Sequence, residues 1–139
     1  MIVVAICTVL LTYPVADYDE AMATCLEIGV QAEQSGEPVH TLAALAYMES
    51  RLDFDAVSHK GALGPLQVMP YWIKGSSGKI ASGIKAWKYW SSRSNKTRVA
   101  LAKYNAGYRP GRRSYRFADR IIRLANKLLS LVKGVSGVG

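Results

Sequence analysis

Carboxylates are scarce over most of this chain. Of its 139 residues, those from 56 to 139 contain a single acid, Asp119, against seventeen Lys and Arg. Residues 1–55 hold the other nine acids and one base, Arg51. The two parts therefore carry net charges of +16 and −8. So strongly basic a back half calls for an acidic or polyanionic partner. Cysteine is nearly absent, and Cys7 and Cys25 are too few for a disulfide framework. Cys7 lies in an apolar run, and both are expected as free thiols. Histidine is also sparse. His40 and His59 occur without a CxxC or HExxH spacing, so no metal ligand set is expected and no cofactor is implied. A long hydrophobic run is lacking too. Ile2 to Leu11 falls short of the ~20 residues of a spanning helix. The run has the length of a signal-peptide core, yet no Lys or Arg precedes it and Pro14-Val15-Ala16 is a poor cleavage site. Three alternatives stay open: an export signal, a membrane-seeking anchor with contact through residues 2–13, or a buried strand or helix.

Half of the residues are apolar and a fifth are charged, which is an ordinary globular composition. There is no internal repeat and no low-complexity tract. Asp17, with Glu20 three residues on, reads as a helix start, and Met22, Cys25, Ile28 and Ala32 continue at helical spacing to a stop at Gly36. After Pro38 a second helix spans 39–50, with Leu42, Leu45, Ala46 and Glu49 on one face. Gly61, Gly64, Pro65 and Pro70 break residues 51–70 into an irregular or short β segment. If 66–69 is extended, Gln67 and Met69 share a face. Residues 75–83 read as a Ser/Gly-rich loop, followed by a short helix through Ile84, Trp87 and Trp90. Thr97 is expected to cap a further helix that stops at Gly107. The last helix, about 114–133, has a continuous stripe of Ala118, Ile121, Ile122, Ala125, Leu128, Leu129 and Val132, with Arg116, Arg120, Arg123 and Lys127 off it. Gly134 should end it. The expected organisation is an apolar N-terminal segment at 1–16, one mainly helical domain at 17–133 and a flexible tail at 134–139.

Glu49 stands on the apolar face of its helix. A carboxyl there is partly desolvated unless paired, and desolvation disfavours its charged form. That is the condition of a general acid at neutral pH. The plainer alternative is a helix-terminal Glu that pairs with Arg51. A glycosidase normally needs two carboxylates across the scissile bond. The basic back half offers Asp119 alone, so one good catalytic carboxylate is in supply and a second from another part of the fold is hard to find; Asp53 and Asp55, near in sequence, stay open as groups that activate water.

Three blocks carry a family likeness. Ala46-Tyr-Met-Glu-Ser-Arg-Leu-Asp-Phe-Asp-Ala-Val-Ser58, Lys60-Gly-Ala-Leu-Gly-Pro-Leu-Gln-Val-Met-Pro70 and Ala102-Lys-Tyr-Asn-Ala-Gly107 resemble, in order and spacing, the soluble lytic transglycosylase family. The resemblance covers about residues 39–125. It implies a mainly α domain of the lysozyme-like α+β superfamily that cuts the β-1,4 bond between N-acetylmuramic acid and N-acetylglucosamine in peptidoglycan, leaving 1,6-anhydromuramyl ends. By it, Glu49 is the single acid/base. Ser58 would orient Glu49 or the sugar, Gln67 would bond an N-acetyl group, and Met69 would pack on the sugar. Tyr104 would pair with Glu49 or flank the cleft, and Asn105 would hold local backbone. Ser50 reads as structural.

The chain also departs from the pattern. The usual Gly-Leu-Met-Gln reads Gly64-Pro-Leu-Gln67. A Glu that many members carry before the last helix is replaced here by Gly111-Arg-Arg-Ser114; Arg112 and Arg113 are suited to the carboxylates of peptide stems. The implied partner is a glycan strand of peptidoglycan, at an extracytoplasmic site, membrane-anchored or on a virion if phage-encoded, with no nucleic acid and no obligate oligomer. The competing functions are a hydrolytic lysozyme of the same fold and a non-enzymatic basic helical protein that binds membranes or nucleic acid.

Overall fold

A computed structural model describes residues 2–75 and 78–136. Its helices are α1 (Ile2–Leu10), α2 (Tyr18–Gln34), α3 (Val39–Ser50), α4 (Lys79–Ser91), α5 (Thr97–Ala106) and α6 (Arg112–Ser136), with one 3-10 turn at Pro70–Trp72. The fold is mainly helical, as expected. Between α3 and α4 there is no sheet among the described residues; isolated bridges pair Val57 with Leu63 and Leu63 with Val68.

Helix α3 is the centre of the molecule. Thr41 to Tyr47 are all buried, so the helix hides every face over that stretch. Its alanines let neighbours come close, and α1, α2 and α6 all pack on it. Helix α1 contributes Val3, Ile6, Cys7 and Leu10, spaced i, i+3, i+4, i+7, as one buried stripe. In the structure this segment is a helix with one face buried. No helix among the described residues is long and apolar enough to cross a membrane. Gly29 makes the packing possible, because a Cβ there would collide with the side chain of Val3.

The expectation of free thiols is corrected. Cys7 and Cys25 form a disulfide, with Cα atoms 5.8 Å apart. Burial of Cys7 argued for a small core side chain, but Cys25 sits on the facing inner side of α2, at ordinary bridging distance. Tying α1 to α2 across this short loop is worth about 3 kcal/mol in the chain-entropy model.

Several boundaries also differ. Helix α4 starts at Lys79 rather than near Ile84, and Ser82 and Gly83 are buried inside it. Packing of Gly83 against Leu66 overrides the low helix propensity of the Ser/Gly stretch. Lys96 rather than Thr97 holds the N-cap position of α5, without a side-chain cap bond. Helix α6 runs on through Gly134 to Ser136, since one glycine costs a long helix only about 1 kcal/mol. The rest of the expected tail, 137–139, lies outside the described residues. Asp17 does cap α2, accepting from the Glu20 N–H at 3.1 Å.

Candidate active site

The site is assembled where α3 ends. Helix α3 stops abruptly because Arg51 and Leu52 both take left-handed backbone, with φ of 55° and 64°. Leu52 is driven into the core, 1% exposed, and that burial sustains a conformation unfavourable for side chains larger than glycine. The chain then loops through tight turns. Asp53 Oδ1 accepts from the Asp55 N–H at 2.9 Å. Ser58 Oγ accepts from the Ala62 N–H at 3.0 Å. Leu63 and Val68 exchange both backbone bonds, at 2.9 and 3.0 Å.

Within that last bridge lies the turn Gly64–Gln67. Gln67 has φ of 50°, so residues 66–69 are not the extended strand expected. Gln67 and Met69 nevertheless line the same groove, for a different reason: the turn lifts Gln67 out, and Met69 follows it exposed. Three anchors hold this turn against the helices. Ser50 Oγ lies 2.8 Å from the Pro65 carbonyl oxygen and donates to it. Tyr104 donates from its phenol to the Leu66 carbonyl at 2.6 Å. Gly83 clears the space for Leu66, whose Cβ would stand 2.7 Å from a Cβ at residue 83. Ser50 is structural, as its sequence reading has it.

Glu49 lies beside this turn. Burial pushes its carboxyl up to about 8, from an ordinary 4.5. Among the described residues no hydrogen bond or ion pair holds it. Arg51, the partner of the plainer alternative, turns the other way: its guanidinium lies over the Tyr47 ring, 5.0 Å from the centroid, and donates to the Tyr47 hydroxyl. Tyr104 is held well above its usual range, first by burial and then by the Glu49 charge. The phenol is thus an uncharged neighbour of Glu49 that spends its proton on the turn. It flanks the cleft and makes no bond to Glu49.

The groove beside them has a volume of about 230 Å³ and is lined by Gln67, Met69, Lys103, Tyr104 and Asn105 together with Tyr71, Trp72 and Trp90. Gln67 Nε2 donates to the carbonyls of Gly64 (2.9 Å) and Ala56 (3.3 Å), which leaves its amide oxygen as an acceptor. Asn105 Oδ1 accepts from Ser114 Oγ at 2.7 Å, joining the end of α5 to the start of α6. Ser58 likewise makes a turn bond; its acceptor side is used by Ala62 and not by Glu49.

An aromatic wall was not foreseen. Tyr71, Trp72, Tyr89, Trp90 and Tyr108 stand in succession with ring centroids 5.3, 5.5, 4.9 and 4.9 Å apart. Arg93 covers Tyr89 at 3.8 Å, and Tyr71 and Tyr108 are exposed at the ends. The signal in the sequence was two aromatic pairs, Tyr71-Trp72 and Tyr89-Trp90, the second of which reads as core because Trp90 falls on the helical stripe. Asp53 and Asp55 do not join the groove. Asp53 borders another depression with Asp17 and Glu20. Glu20, Asp53 and Asp55 are exposed there, with ligand atoms within 4.8 Å of one another, and Lys79 lies 3.7 Å from Asp55.

The chain is thus a mainly helical body with one desolvated carboxyl, Glu49, close to Tyr104, which lines a groove rich in aromatic side chains. Residues 27–88 match the Transglycosylase SLT domain. That stretch, a little under half of the chain, is similar to the soluble lytic transglycosylase domain, and a domain of that kind suggests lytic transglycosylase activity on peptidoglycan, which lies outside the cytoplasm. The match contains Glu49, Ser58, Gln67 and Met69 and stops before Tyr104 and Asn105. No curated protein and no solved structure gives a match.

Proposed function

We propose that the chain is a peptidoglycan lytic transglycosylase in which Glu49 serves as both acid and base. The observation that carries this reading is a largely buried carboxyl raised to about 8, protonated at neutral pH, with no carboxylate among the residues that line the neighbouring groove. Glu49 gives its proton to the glycosidic oxygen as the bond to C1 of N-acetylmuramic acid breaks. The resulting carboxylate takes the proton of the C6 hydroxyl on the same sugar, and that oxygen closes on C1. Glu49 ends protonated again, and no water is consumed. One acid/base group supplies roughly 10²–10⁴ in rate, so positioning must supply much of the rest.

The positioning groups follow from the groove. The Gln67 amide oxygen accepts from an acetamido N–H, and Met69 and the rings of Tyr71 and Trp72 pack on sugar faces. Ser58 retains its hydroxyl proton for a sugar oxygen. Asn105 fixes the α5–α6 junction that borders the groove. Arg112 and Arg113, exposed at the start of α6, remain placed for stem carboxylates. The activity fits local opening of the wall. Membrane contact through residues 2–13 would rest on the exposed Ile2 and Val4, because the inner stripe of α1 is spent on the core.

The test is Glu49→Gln, which keeps the shape and removes the proton. Release of muropeptides from purified sacculi should fall at least about 100-fold, with the circular dichroism spectrum unchanged. A variant that still solubilises sacculi at the wild-type rate would end the proposal.

A further inference from the structure

Helix α6 carries Arg116, Arg120, Arg123 and Lys127 at steps of four, three and four residues, which places them along one side over roughly 16 Å. The one acid among them, Asp119, is bound by Arg98 Nε at 2.7 Å. Among the described residues no ion pair joins Arg120, Arg123 or Lys127 to a carboxylate. These three cations edge a groove of about 370 Å³, larger than the one beside Glu49, whose opposite wall is formed by Tyr13, Pro14, Tyr47 and Arg51. The wall is preformed. Tyr13 and Tyr47 rings stand 5.8 Å apart, and Tyr47 is held by donating to the Pro14 carbonyl at 2.8 Å. Leu124 and Met48 add apolar lining. On α3, Tyr47 and Arg51 are four residues apart and Glu49 is two from each, so at 100° per residue Glu49 points to the far side. Glu49 and the basic groove therefore use different faces of α3.

We propose that this basic groove is a second, non-catalytic peptidoglycan site that takes the carboxylate-bearing peptide stem of a strand other than the one being cut. The proposal rests on the reading of the chain as a peptidoglycan enzyme. Charge complementarity selects the occupant: four cations without an acid face the groove, and three are arginines, whose planar forks match carboxylates two bonds at a time. The tyrosine and leucine lining suits the methyl and methylene groups between stem carboxylates. The α6 cations that line the groove, Arg120 to Lys127, span about 10 Å, and an extended chain advances about 3.3 Å per residue, so they match about three residues of a stem. A concave slot suits such a chain better than a flat bilayer.

The test is binding, read in the Glu49→Gln background so that cleavage plays no part. Sedimentation with teichoic-acid-free sacculi is compared with sacculi stripped of stems by a muramyl-peptide amidase, and with phosphatidylglycerol vesicles. Arg120→Glu/Arg123→Glu should bind intact sacculi at least about tenfold more weakly than its parent and should match it on stripped sacculi. Arg120→Lys/Arg123→Lys, which keeps the charge, should fall between. Equal binding of the reversal variant and its parent to intact sacculi would overturn the proposal. So would a loss of the same size on stripped sacculi, or one seen on the vesicles and not on intact sacculi. Failure of the enzymatic reading is seen separately, as wild-type protein that leaves stripped glycan uncut.

Discussion

Glu49 owes its chemistry to where α3 stops. One residue before the end of a helix that is buried on all sides from Thr41 to Tyr47, it is only partly open to solvent, and Arg51 has been carried away by the left-handed turn. A carboxyl so placed stores its proton. Its ordinary value of 4.5 against about 8 in the fold links activity and stability to pH in a defined sense. As a proton donor Glu49 works below its raised value, so cleavage should hold from mildly acidic to neutral pH and fall as pH rises through about 8. Stability runs the same way. Between 4.5 and 8 the unfolded chain has released the proton that the folded chain keeps, so stability is lost with rising pH, by on the order of 4 to 5 kcal/mol at most across the window. Glu49→Gln has no proton to lose, and its denaturation midpoint should exceed that of wild type by a margin that grows from pH 5 to pH 8. A margin that stays constant over that range would mean that Glu49 titrates normally. Position on an apolar face was legible in the sequence; the fate of Arg51 was not, because two consecutive left-handed residues have no signature when neither is Gly or Asn.

At the scale of elements, the site depends on one turn held by three helices. Ser50 of α3 binds the Pro65 carbonyl, Tyr104 of α5 binds the Leu66 carbonyl, and Gly83 of α4 makes room for Leu66. Ser50 belongs to the first sequence block, the turn to the second and Tyr104 to the third, which explains why the three blocks occur together. Gly83→Ala tests the arrangement. Its added methyl meets the Leu66 Cβ at 2.7 Å, and overpacking of this kind costs about 1–3 kcal/mol. Cleavage should drop more than the lost stability explains at a temperature where the variant is folded, because the turn carrying Gln67 must shift. Stability lowered with full activity would show that the turn does not position substrate. Sequence spacing identified Gln67 and Met69 as partners, yet through strand alternation; the real cause is a left-handed turn, which Gly64-Pro65 signalled only as a break. The start of α4 was hidden for a related reason. Ser and Gly read as loop until a partner, here Leu66, supplies the contact that offsets their weak helix propensity.

Across the whole molecule, the division of charge acquires a spatial meaning. The acids of the front half lie mainly on the outer side of α2 and the loop after α3, while seven of the seventeen cations of the back half lie on α6. Helix α3 separates the two tasks, with Glu49 toward the aromatic groove and Tyr47 and Arg51 toward the basic one. Composition exposed the shortage of carboxylates but not this partition, and it did not expose the aromatic wall, whose five rings come from three separated stretches. The disulfide was equally hidden: two buried cysteines look like core until α1 and α2 are seen to cross. The reaction proposed for Glu49 proceeds without activated water. That claim is tested most directly by the mass of the muropeptides released from purified sacculi by wild-type protein. Products lighter than the hydrolytic muropeptides by one water, with 1,6-anhydromuramyl ends, are expected. Products of full hydrolytic mass would contradict the account and require a second group that activates water.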